Sequence, residues 1–333
     1  MKYNIVFSIP IHEKFEVVLD QIINFFHFNP HCAIVYHISQ GFNYKTSQLS
    51  REEFNKAIDK IGNVYINPES VRTGGADIIQ AHLSNFKYIT SVADFDYFSM
   101  CSSNELFIKT GLIEYVNDND CGIEFLDVIS KKDSEWESGL KGLNDNELKG
   151  YLSRYGVDKF YGSHVEGSFY RKDLFLEIVC EIESFYDYLK MTFAYPREEV
   201  YFSTVAWIIN QKKHKLKILE NGLFSWSRWH SLLDLKIWVW DIGRLEKQIG
   251  VYSVKRVDRD INANLRMYIR NLYGYEAEEK KYYQGLRTRG LIMSYMMDFL
   301  DYILENLKKI YRVIRILYRR SIGYYEREKW YNK

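Results

Sequence analysis

Cysteine is scarce: the 333 residues contain four, at positions 32, 101, 121 and 180, and none forms a Cys-x-x-Cys pair. That spacing excludes the usual zinc frameworks, and the low usage fits a reducing compartment. Proline also occurs only four times, which leaves no Pro-rich linker. An excess of one charge is missing too. Lys and Arg number 45 against 44 Asp and Glu, a net of +1, which argues against a general nucleic-acid binder. No uninterrupted apolar run is long enough to span a bilayer. The opening MKYNIVFSIPIHEKF meets His12 and Glu13 too early for the apolar core of a signal peptide, so a cytoplasmic protein is expected. The RTGGAD stretch is too short for either glycine-rich phosphate fingerprint, although Gly74 and Gly75 would let backbone approach a ligand closely. No Gly-x-Ser-x-Gly elbow and no kinase signature set occurs.

Hydrophobic residues make up 47% of the chain and aromatics 17%, with 28 Tyr. The core is therefore ample. Rings with a polar tip suit carbohydrate stacking or a membrane interface. Apolar runs alternate with amphipathic ones. YNIVFSIPI reads as a buried strand and EKFEVVLDQIINFF as the helix after it. CAIVYHIS, NVYINPESV and DYFSMCS read as further strands, with helices opening in GGADIIQAHLSNF and NELFIKTGLIEYV. Strands alternating with helices predict an α/β class with a mostly parallel central sheet, its ligands beyond the carboxyl ends of the strands. Residues 130 to 195 are less regular, and from 255 the chain turns helical and basic. There is no internal repeat.

Two acidic pairs invite a metal. Asp94-x-Asp96 has the spacing with which many sugar-nucleotide enzymes hold a divalent cation. Those acids usually follow a strand, whereas here they precede one, so a capped turn is expected and metal binding is the rival. Asp118-x-Asp120 lacks a ligand-rich loop with a terminal Glu and reads as a turn. AYPREEVYFSTVAW places Glu198 and Glu199 behind a proline, just where the chain becomes apolar. The pair is either a helix N-terminus or a carboxylate at the lip of a pocket, poised as a general base.

Four separated blocks, in order, resemble the core-2/I-branching β-1,6-N-acetylglucosaminyltransferase family. SIPIHEKFEVVLDQI is similar to the family's first strand and helix, with His12 and Glu16 in matching places. AIVYHIS resembles the second strand; His37 matches and Ser39 replaces an acid. YFSMCSSNELFIKT resembles the Tyr-Phe strand and its turn, with Glu105 in the acid's place and Phe107 in that of a proline. PREEVYFST resembles the Pro-Asp-Glu block with one residue added, which makes Glu199 the better match to the catalytic base and Glu198 the alternative.

The resemblance implies a GT-A-like domain over residues 1–260; the residues after it, 261–333, read by their own pattern as a helical amphipathic basic tail. It implies inverting transfer of a sugar, GlcNAc from a UDP-sugar donor, to a hydroxyl of a glycan acceptor in surface polysaccharide assembly, with no metal cofactor. YSVKRVDRD matches the family's basic block, so Lys255 and Arg256 are expected on the donor diphosphate, with Arg228, or else His230, from SWSRWHS. His12, His37 and Arg72 are expected at the nucleotide. Glu105, Glu166 and Tyr170 are expected at the acceptor. The rivals are a metal-dependent transferase using Asp94 and Asp96, and a non-catalytic membrane or partner-binding protein.

In the tail, DFLDYILENLKKIYRVIRILYRR steps apolar residues by three and four, from Leu300 to Tyr318. Six cations lie between Lys308 and Arg320. A peripheral location at the inner membrane face is expected, near a lipid-linked acceptor. Packing against the domain or in a homo-oligomer is the plainer alternative.

Overall fold

A computed structural model describes residues 2–40, 42, 51–59, 61–73, 78–127, 141–187, 195–213, 216–220, 222–226, 237–275 and 290–331. The anticipated alternation begins at once. Strand β1 (Lys2–Ile11) leads into helix α1 (Phe15–Phe28), β2 (Cys32–Ile38), α2 (Arg51–Asp59), β3 (Val64–Ile66), α3 (Ile79–Val92) and β4 (Asp94–Met100). Then follow β5 (Leu106–Phe107), α4 (Leu112–Val116), β6 (Cys121–Ile123), β7 (Leu126–Asp127), α5 (Asn146–Arg154), β8 (Tyr161–Gly162), β9 (Phe169–Arg171), α6 (Lys172–Glu183) and α7 (Glu198–Lys213). The chain finishes with β10 (Ile218–Glu220), β11 (Ser225–Trp226), α8 (Val239–Leu245), β12 (Ser253–Val254), α9 (Asn264–Tyr273) and α10 (Leu291–Tyr331).

Seven strands form the main sheet in the order β10-β6-β9-β4-β1-β2-β3. β1 to β4 pair in parallel, β6 pairs in parallel with β10, and β9 alone runs antiparallel, between β4 and β6. The class is therefore α/β with a mostly parallel sheet, as the alternation predicts. A parallel strand needs apolar residues on both faces, and β1 supplies them. Ile5, Phe7, Ile9 and Ile11 enter one core layer, while Tyr3 and Val6 enter the other. The second layer lies beneath α3, α6 and α7.

Helix α1 is amphipathic in an unusual sense, because part of its buried face is polar. Gln21 Nε2 donates to the carbonyls of Ser102 (2.8 Å) and Glu105 (3.1 Å). Asn24 exchanges two hydrogen bonds with the backbone of Phe107. Asp20, fully buried, pairs with the equally buried Arg266 and Arg270 of α9. Such a triad is tolerable only because the charges satisfy one another.

Three expectations shift. The domain does not end at 260: Leu265, Tyr268 and Ile269 of α9 lie in the same core layer as β1, and the buried Asp20 needs that helix. β4 starts at Asp94, so Asp94 and Asp96 are strand residues, not a turn before it; they face solvent and alternate with the buried Phe95 and Tyr97. NELFIKT gives the two-residue strand β5, paired antiparallel with β12, before the short helix α4. Cys32, Cys101 and Cys121 are buried free thiols, and Cys180 is an exposed one.

Candidate active site

The parallel strands β1, β2 and β4 end together, and side chains gather beyond their carboxyl ends. After β1 comes exposed His12, then Glu13, buried and bridging two segments. Its Oε1 accepts from Ser103 Oγ (2.8 Å) in the turn after β4 and meets Arg259 Nε at 2.9 Å. At the end of β2, His37 is buried with Nε2 3.1 Å from the Val71 carbonyl. The adjoining segment is held by Ser70 Oγ donating to the Ile38 carbonyl (2.7 Å) and Thr73 N–H donating to Ser39 Oγ (3.2 Å). That segment carries Arg72, exposed at the strand ends.

At the end of β4, the Met100 carbonyl accepts from Gly167 N–H (2.8 Å) and the Met100 N–H donates to the Ser168 carbonyl (3.2 Å). This fixes Glu166 at the mouth. Gly167 has φ +84, and a Cβ there would stand 2.3 Å from the Ser225 nitrogen, so only glycine lets the two segments touch. Glu166 forms an ion pair with Lys255, each side chain 18% exposed. Burial works against the Glu166 carboxylate, but the charge and hydrogen bond of Lys255 outweigh it and hold the acid at about 2. The next residue, Arg256, has a left-handed backbone, φ +65. A non-glycine residue in that region stores strain and is often found at functional sites.

Glu198 and Glu199 open α7 beside this cluster. Ser163 N–H donates to the Glu199 carbonyl (2.8 Å), three residues before Glu166. Glu199 is half-buried and Glu198 is 4% exposed. Glu198 Oε2 accepts from the Ile78 N–H (3.2 Å), just before α3. The positive ends of two helices thus converge on Glu198. Glu199 is the more exposed carboxylate of the two. The neighbouring Arg197 pairs with Asp145 (3.4 Å), which also accepts from Tyr195 and Tyr201, so the turn before α7 is rigidly seated.

His82, on the first turn of α3, is a participant that sequence reasoning missed. Its Nδ1 lies 2.9 Å from Ser8 Oγ in β1, and burial pushes its pKa down to about 3 despite the nearby Glu166. His37 is lowered as well, chiefly by burial. For His82 the folded value lies below that of the unfolded chain. The folded state therefore favours the neutral ring, and stability is complete above pH 6.5 and lost as the pH falls toward 3. From pH 7.5 to 5.5 this one group is expected to cost about 1.4 kcal/mol. Urea denaturation at both pH values measures it, and His82→Gln should flatten the dependence by that amount. An unchanged slope in the variant would refute the assignment to His82.

Several expected residues lie elsewhere. Tyr170, in β9, is core, packed beside Phe175 and 1% exposed, and cannot reach an acceptor. Glu105 is fully buried; its carboxylate accepts from Ser253 Oγ (2.5 Å) and the Ser102 N–H (3.0 Å). It braces the β4–β5 turn against β12 and touches no open space. Asp94 and Asp96 sit at the amino end of β4, the wrong end of the sheet, each beside a lysine: Lys172 at 3.0 Å and Lys2 at 2.5 Å. A groove of about 1020 Å³ also lies at that end, but its Asp96 and Asp120 are likewise paired, with Lys2 and Arg171. Arg228, His230, Gly74 and Gly75 fall outside the described residues. Glu13 and Arg259 join the cluster without any signal in the sequence beyond adjacency to His12 and proximity to Arg256.

No protein-family model matches the chain, and no curated protein matches it. The resemblance to the branching transferases rests on the sequence blocks alone. Among solved structures, a galactosyltransferase, LgtC, in complex with donor and acceptor sugar analogs aligns at 14% identity, covering 87% of this chain and 98% of its own, with a TM-score of 0.39. An active-site mutant of LgtC aligns at 14% identity over 82% of this chain and 95% of its own, with a TM-score of 0.40. A likeness at that level carries no inference about activity.

Proposed function

We propose that the protein is a GT-A-like glycosyltransferase that transfers a sugar from a UDP-sugar, with inversion, to a hydroxyl of a glycan. GlcNAc is the sugar the sequence resemblance favours. The observation that carries this reading is the meeting of two kinds of group at one strand end. The backbone of Glu199, at the start of α7, is tied to Ser163, and Glu166, three residues further on, holds Lys255. An inverting transfer needs both. Glu199 takes the proton of the acceptor hydroxyl as its oxygen attacks the anomeric carbon. The bond to the diphosphate breaks on the opposite face, and Lys255 and Arg256 neutralise the charge that gathers on the leaving oxygens. Glu166 acts as a positioning residue in this scheme, keeping Lys255 fixed and charged. Arg259, three residues after Arg256, is held by Glu13 beyond the end of β1 and offers a further cation.

His12 and Arg72, both exposed at the strand ends, fit a nucleotide; His37 is buried and positions the Val71 carbonyl instead. Tyr170 and Glu105 are withdrawn from the acceptor site because of their burial. The metal-dependent alternative loses its ligands, since Asp94 and Asp96 lie at the far end of β4.

The test is the thermal midpoint with UDP and a panel of UDP-sugars, each with EDTA and with Mn²⁺. A ligand at a hundredfold excess over its Kd adds about 2.7 kcal/mol, a rise of roughly 5 °C for a chain of this size. The expected result is a rise with UDP that survives EDTA and is weakened in Lys255→Met. A rise that needs Mn²⁺ would replace the metal-independent scheme. The absence of any rise would favour a non-catalytic role.

A further inference from the structure

Helix α10 is 41 residues long, about 60 Å at the rise of an α-helix, and among the described residues its contacts with the domain lie in its first turns. The docking face is polar. Buried Asp298 accepts from the Val239 N–H at the start of α8 (2.7 Å) and from Asn264 Nδ2 of α9 (2.6 Å). Asn264 Nδ2 also donates to the Ser294 carbonyl (2.7 Å). The Tyr302 ring stands edge-on to Trp238 and Trp240. These directional bonds fix the rotation of the helix. They turn its apolar residues outward, with Ile292 80%, Met296 55%, Phe299 58%, Leu307 56% and Ile310 55% exposed.

At 100° per residue these side chains, with Ile303, form one stripe of about 80°, which Leu304 and Tyr311, both exposed, widen to about 140°. The stripe centres about half a turn away from the docked face of Ser294 and Asp298. A flat surface can therefore meet it from end to end with the domain standing on the other side. Lys308 and Lys309 open a sequence run, 308–320, that contains six cations and no acid. No helix among the described residues is long and apolar enough to cross a membrane.

We infer that α10 lies in the plane of an anionic lipid surface, its outward stripe among the acyl chains and its basic run at the headgroups. Two features select lipid over a second copy of the chain. A two-stranded seam takes two residues in seven, and this stripe is wider, because Phe299, Leu304 and Tyr311 flank the seam positions. Two such helices side by side would also set like charges together over 308–320, whereas acidic headgroups complement them. The inference stands apart from the transferase reading; if both hold, the strand ends are brought to a lipid-linked acceptor.

The full chain is to be sedimented with vesicles of phosphatidylcholine and of phosphatidylcholine mixed with phosphatidylglycerol. Binding is expected to the mixed vesicles and to be much weaker on the neutral ones. Lys308→Gln with Lys309→Gln should weaken it about 25-fold, about fivefold for each cation. Ile303→Asn with Leu307→Asn and Ile310→Asn should abolish it, with the UDP-independent thermal midpoint of the domain unchanged. No sedimentation with either vesicle would overturn the inference. So would equal binding to both, or a vesicle-free dimer that the triple variant converts to monomer.

Discussion

Glu199→Gln is expected to lower the rate of transfer by about 10²- to 10⁴-fold, the usual contribution of a positioned general base, while the thermal midpoint and its rise with UDP stay as in the parent. The amide keeps the size and the hydrogen-bonding reach of the side chain but cannot accept the proton. The adjacent Glu198→Gln should behave in the opposite way. Its carboxylate receives the Ile78 N–H at the start of α3 and sits against two helix N-termini. Losing its charge should cost about 0.5–2 kcal/mol of stability and less than about tenfold in rate. Single-turnover transfer and urea denaturation on both variants separate the two roles. Full activity in Glu199→Gln would end the assignment, and a larger rate loss in Glu198→Gln would exchange the two residues.

The largest expected effect on stability is remote from the chemistry. Asp20→Ala leaves the guanidinium groups of Arg266 and Arg270, both wholly enclosed, without their shared counter-charge. Breaking a buried ion pair from one side costs about 3–5 kcal/mol, a large share of the net stability of a domain. The variant is expected to unfold at clearly lower urea or to accumulate as insoluble protein. Replacing all three together, Asp20→Leu with Arg266→Met and Arg270→Leu, should recover most of the loss, because no charge is then stranded. A single variant within about 1 kcal/mol of the parent would show that the triad is not holding α9 to α1.

The parallel half of the sheet was legible because its strands carry apolar residues on both faces and are separated by helices with a clear period. β1, β2 and β4 read directly from YNIVFSIPI, CAIVYHIS and DYFSMCS, and the placing of ligand chemistry beyond their carboxyl ends followed from that. The short strands were not legible. β5, β11 and β12 have two residues each, too few for any periodicity, and they form through pairing across long stretches of chain. Asp94 and Asp96 were expected in a capped turn before the strand but are its first residues, because solvent-facing strand positions can be acidic and then look like a turn in sequence. Tyr170 misled because a tyrosine near a glycine looks like a sugar platform, whereas its ring is enclosed by Phe175 and its neighbours. Glu13, His82 and Arg259 were missed because a lone polar residue looks the same in sequence whether it seals a core or lines a site. Asp20 was hidden for a further reason: its partners lie some 250 positions away, beyond the boundary drawn at 260.

The lone antiparallel strand has a consequence for synthesis. Among the described residues β6 pairs with β9 and β10 alone, so residues 121–123 lack these strand partners until the ribosome has delivered Phe169–Arg171. During that interval the nascent chain holds a finished four-strand platform with β4 as an open edge, and an unpaired strand waiting nearby. Open edges of this kind recruit other chains. Slow translation between positions 123 and 171, or truncation within that interval, should therefore yield aggregates.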